Sequence, residues 1–90
     1  MILGKVVGTV WATKKDESLT GLKFQIVKHV DLDYKVKDSF LIAVDSVGAG
    51  VGEIVLVATG SSARLTTVTK NKPVDAVIMA IVDKLDVVSD

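Results

Sequence analysis

The chain has 90 residues, and its eleven Lys and Arg balance eleven Asp and Glu for a formal net charge of zero; this is the size of one small domain, read as spanning residues 1–90, with no room for a second. With the isoelectric point near 6.6, the electrostatic footprint of a non-specific nucleic-acid or anionic-membrane binder is missing. The absence of cysteine removes disulfides, thiolate nucleophiles and thiolate metal sites, which suits a cytoplasmic protein.

Hydrophobic residues make up 49% of the chain and mean hydropathy is +0.47, high for a domain that must show much of itself to water. Something beyond its own core is expected to cover the excess. Seventeen Val, six Ile and seven Thr set against two Glu and one Arg form a sheet composition. Lys5 interrupts the apolar N-terminus, and the longest apolar run, Ala76 to Val82, falls far short of the roughly 20 residues a membrane helix needs. Neither a membrane span nor an export signal is expected.

Ile2 to Ala12 reads as a first strand, with Gly4 and Gly8 marking a bulge or a close backbone approach. Thr13 to Ser18 is a polar loop. Leu22, Phe24 and Ile26 then alternate with Lys23 and Gln25, as in a half-buried strand running to Val30. Asp31 to Asp38 lacks periodicity and reads as a surface connection with its tip near Asp33-Tyr34-Lys35. Ser39 to Asp45 and Glu53 to Thr59 are continuous apolar runs, the pattern of strands covered on both faces, which implies a closed barrel or an interface. Gly60 to Arg64 is expected to form a single helical turn capped by a serine hydroxyl. After Pro73 the periodicity fits helix and strand alike, and β-branched enrichment favours a strand from Ala76 to Val87. The expected fold is all-β: a small five-stranded, OB-like antiparallel barrel with one short helical turn.

The cluster Gly48-Ala49-Gly50-Val51-Gly52 has neither the G-x-G-x-x-G nor the G-K-[ST] spacing of a phosphate loop, and it runs into Glu53 and a strand rather than a helix. A structural turn or close backbone packing is the better reading. Ser61 and Ser62 lack a nucleophile elbow, and His29, the sole histidine, lies in the second strand; a small hydrolase is a distant third reading. Asp45 and Glu53 flank the glycine loop and are expected to form hydrogen bonds or ion pairs rather than an acid–base couple. One His and two Glu are too few for a catalytic metal site, and no cofactor is implied. Lys14, Lys15, Lys35, Lys37, Lys70 and Lys72 lie in three separated loops. Of the four aromatics, Trp11, Phe24, Tyr34 and Phe40, the two Phe read as core. An OB-like oligonucleotide-binding module is therefore the alternative, not the leading reading.

The order of motifs adds a resemblance. Val6-Val7-Gly8-Thr9-Val10 with Thr13-Lys14, Leu19 with Gly21-Leu22-Lys23, the block Ala43 to Glu53, Gly60-Ser61-Ser62-Ala63-Arg64, and Pro73-Val74-Asp75 with Ile81-Val82-Asp83 together resemble the bacterial microcompartment vertex family, the EutN/CcmL proteins. The likeness spans essentially the whole chain. It implies a non-catalytic shell protein: a homopentamer of small β-barrels that plugs the fivefold vertices of a polyhedral shell otherwise tiled by hexameric shell proteins. It further implies that Asp45, Gly48, Ala49, Gly50, Gly52, Glu53, Gly60, Ser61, Ser62 and Arg64 pack between subunits near the fivefold axis. The unbroken GAGVGE and GSSAR look closer to the catabolic microcompartments than to carboxysomes. Arg64, the only arginine, offers a planar fork suited to a carboxylate across an interface, with Glu53 or Asp45 the expected partner.

Overall fold

Rich in β-branched residues, the chain forms five strands in a computed structural model that describes residues 1–88, with no α-helix among them. They are β1 (Ile2–Val10), β2 (Phe24–Val30), β3 (Val36–Asp45), β4 (Ile54–Thr59) and β5 (Ala76–Ile81), closed into a barrel in the order β1-β2-β3-β5-β4. The expected all-β five-stranded barrel is thus observed, with two corrections. There are two 3-10 turns, not one: Gly60–Arg64 as expected, and Glu17–Leu19 within the polar loop. Asp16 caps the second by accepting from Ser18 N and Oγ at 2.9 and 2.6 Å. The barrel is also not wholly antiparallel, because β3 and β5 pair parallel through Val44↔Val77 and Asp45↔Ile78. The other four pairs are antiparallel, and a closed ring with an odd number of strands cannot alternate direction at every step.

Strand ends follow partner availability. β5 stops at Ile81 rather than Val87 because its neighbour β4 begins at Ile54; the last tie is Val82 N–H to the Ile54 carbonyl at 2.8 Å. β3 starts at Val36 rather than Ser39, since Val36 pairs with Val30 across the hairpin whose tip contains Tyr34 at φ 63°. β1 and β2 are shorter than expected, ending at Val10 and starting at Phe24.

Val6, Val27, Ala43, Ala49, Val55, Val57 and Ile78 fill the barrel. On the other face Val44, Ala58 and Val77 pack under Ala63 and Val74 of the segment crossing from β4 to β5. β4 and the end of β3 are therefore covered on both sides, as their apolar runs suggested. The first half of β3 is not: Phe40 is 61% exposed and does not belong to the core. Gly4 is the close approach its position suggested, since a Cβ there would meet Val27 Cγ1 and lie 2.8 Å from the Lys28 carbonyl oxygen. The register shift in β1 falls between Val6 and Gly8.

Candidate functional site

The β3–β4 loop is built on its own carboxylates. Asp45 Oδ1 accepts from the backbone N–H groups of Val47, Gly48 and Ala49 at 3.0, 2.9 and 3.2 Å, folding the chain back immediately after β3. Glu53 Oε1 accepts from Gly50 N at 2.6 Å, and Glu53 N–H returns to the Gly50 carbonyl at 3.2 Å. Gly48 and Gly52 sit at φ +77° and +95°, a region that side chains with a Cβ strongly disfavour. Gly50 does not, and its Cβ position lies 3.4 Å from Glu53 Oε1, an ordinary contact.

Beneath this loop lies a residue that the alternation pattern misplaces. Gln25 points inward, 1% exposed, while Phe24 and Ile26 turn outward and are only half-buried. Its Nε2 donates to the Ala49 carbonyl at 2.8 Å, and its Oε1 accepts from Thr9 Oγ1 at 2.7 Å. A buried amide needs such partners. This amide ties the loop to β1 and β2, and Ser46 Oγ ties it to β5 through the Ile78 carbonyl at 2.6 Å. Inverting a strand sends every one of its side chains to the opposite face, so the outside of β2 carries Phe24 and Ile26, beside the exposed Phe40 and Ile42 of β3.

The Gly60–Arg64 turn stands at the other end of β4, a strand of six residues that spans about 17–20 Å. Thr59 precedes it and forms no side-chain cap; Ser62 Oγ instead donates to the Thr59 carbonyl at 2.9 Å. Arg64 Nη1 donates to the Val74 carbonyl at 3.2 Å. Within one chain, then, the ten expected residues form two separate groups, and Arg64 meets neither Asp45 nor Glu53. Gly48, Gly50, Gly52, Gly60, Ser61, Ser62 and Arg64 are exposed, Asp45 and Glu53 half-buried, and Ala49 is in the core.

The catalytic alternatives gain no geometry. His29 Nδ1 lies 2.9 Å from Ser39 Oγ and 3.2 Å from the Ser39 carbonyl, and not beside Ser61 or Ser62. Among the described residues no three His, Asp or Glu side chains gather as a metal site would require. Trp11 lies past the end of β1 and is 87% exposed, at the mouth of a groove of about 440 Å³ whose walls include Val10, Leu22 and Phe24. Tyr34 is at the opposite end of β2, so Trp11 and Tyr34 do not share one stacking face.

Residues 1–83 match the family described as ethanolamine utilisation protein EutN/carboxysome. The bacterial microcompartment shell vertex protein GrpN of Rhodospirillum rubrum is 45% identical over 99% of this chain and 100% of its own length. The solved pentameric microcompartment shell protein GrpN from the same species superposes with a TM-score of 0.88 at 44% identity, covering 98% of this chain and 100% of that one. The structure of CcmL from Gloeobacter violaceus does so with a TM-score of 0.92 at 38% identity, covering 97% and 90%.

Proposed function

Since this chain belongs to the EutN/CcmL family, we propose that it is a structural vertex protein of a bacterial microcompartment shell, acting as a single domain over residues 1–90, of which the last two lie outside those described. Five copies form a ring that occupies the fivefold corners of the shell, flanked by hexameric shell proteins, within the cytoplasm. The chain carries no catalytic activity and binds no nucleic acid in this role. The observation that carries the reading is the whole-length likeness to a pentameric shell protein on a barrel whose outward strands retain apolar side chains. A catabolic shell rather than a carboxysome is favoured by the unbroken GAGVGE and GSSAR segments and by the 45% identity to GrpN over the whole of that relative.

A ring needs two different surfaces on each subunit, one for each neighbour. The glycine loop and the Gly60–Arg64 turn, at opposite ends of β4, are suited to meet across subunits near the fivefold axis. There Arg64 would exchange its contact with a carbonyl for one with Glu53 or Asp45 of the neighbour, while Ala49 and Asp45 shape the loop from below. Native mass tests the assembly: five chains of 9.5 kDa give about 47.5 kDa, and a stable monomer would refute it. Arg64→Glu is expected to shift the native mass to smaller species with the β-sheet circular dichroism unchanged. If the variant elutes as an unchanged pentamer, Arg64 is not at the interface. Salt-sensitive retention of single-stranded oligonucleotides would support the binding-module alternative.

A further inference from the structure

We propose that residues 82–88 form an arm that leaves its own barrel and seats in the Trp11 groove of the adjacent subunit. The inference rests on the pentameric reading above and specifies one of its contacts. After Ile81 the described chain has no secondary structure, and its last backbone bond to the barrel is made by Val82. Seven extended residues reach about 23 Å, comparable with the shorter dimensions of a molecule measuring 50 × 24 × 20 Å. This segment pairs with no strand of its own barrel, and it carries Val87 and Val88, 56% and 89% exposed. Its apolar end has nothing to cover it within the described chain.

The groove supplies complementary chemistry. Val10, Trp11, Leu22 and Phe24 offer apolar walls, none of them contributed by the arm of the same chain, and Lys15 and Lys23 stand on its lining. The arm carries Asp83 and Asp86, with Lys84 at 3.7 Å from Asp86, so its net charge is opposite to that of the groove. The two features are different patches on one chain. One gives and the other receives, which is the directional contact that closes a cyclic ring. Valine side chains entering the groove would cover the indole, and the two acids would face the lysine ammonium groups at its rim.

Trp11 is the only tryptophan, so its fluorescence reports on the groove alone. In the wild-type assembly, acrylamide quenching is expected to be several-fold weaker than for an exposed indole, and Val87→Asp with Val88→Asp is expected to restore it. Full quenching in the wild-type pentamer, or protection that survives the double substitution in an intact pentamer, overturns the arm contact. Should the double variant dissociate, Ala12→Cys with Val87→Cys in an otherwise cysteine-free chain decides the matter. A short bismaleimide then gives a covalent ladder up to five chains if the arm is in place, and single chains from an intact pentamer overturn it. A wild-type native mass of one chain would instead defeat the vertex reading on which the contact depends, and the contact with it.

Discussion

Gln25 spans the Ala49 carbonyl and the Thr9 hydroxyl from a fully buried position, so Gln25→Leu keeps much of the volume but strands the carbonyl without a donor. Such a loss costs about 1–3 kcal/mol. Chemical unfolding at fixed subunit concentration should show this, and an unchanged midpoint would mean that the loop does not depend on the amide. Gly48 and Gly50 separate two roles that their sequence merges. Gly48→Ala is expected to cost about 1–2 kcal/mol of stability through its positive φ. Gly50→Val meets no such barrier inside the chain, and is expected to leave β content intact while impairing assembly; normal assembly would count against a close neighbour at that site. At this scale the sequence reveals which residues matter better than what they do. The motif block stands out as a string, but Asp45 as an acceptor for three amides and Gln25 as a buried brace are products of folding. A polar residue between Phe24 and Ile26 reads as outward until the inside of the barrel supplies it with partners.

At the tip of the β2–β3 hairpin one side chain adds to the backbone bonds. Asp31 Oδ1 accepts from Lys35 N at 3.0 Å and Asp33 N at 2.9 Å, and the backbone bond from Lys35 is the main cause that lowers its pKa from the ordinary value. Asp16 is lowered in the same sense, chiefly by the Ser18 hydroxyl. A folded-state pKa below the unfolded one contributes stability above the ordinary aspartate range, which is lost as pH falls through the lower folded value. On acidification below about pH 4, the amides of Asp33 and Lys35 are therefore expected to lose protection before those of the barrel. Simultaneous loss would show that the tip is not a local unit. The element pattern was legible wherever apolar runs and turn residues decide it, including the hairpin tip and the Gly60–Arg64 turn. Strand ends were not, because Val36 and Ile81 end their strands according to whether a partner strand is alongside, and a linear pattern carries no such information.

For the whole molecule, the barrel followed from five short strands and closely spaced turns, but the expected all-antiparallel pairing did not hold, because a closed ring of five strands must contain a parallel pair. What remained hidden was surface. The outward place of Phe24 and Ile26 follows from the inverted face of β2, and the separation of the two motif groups by the length of β4 emerges only in three dimensions. The apolar excess of the composition thus has a location on the outside of the sheet and along the arm, both available to neighbouring subunits.

The parallel seam also sets an order of events. β5 supplies both rungs to β3 and the whole flank of β4, yet it is the last of the five strands to leave the ribosome. Synthesis at about 5–20 residues per second places its completion roughly 1–4 s after β4 emerges. Until then β3 and β4 lack their shared neighbour, and the crossing segment lacks Val77, the β5 member of the cluster it covers. A chain stopped after Pro73 should accordingly lack the slow amide exchange of a closed barrel, and native protection in such a chain would contradict this order. In the proposed ring, a subunit that met its neighbours before β5 was in place would offer them a barrel still open between β3 and β4.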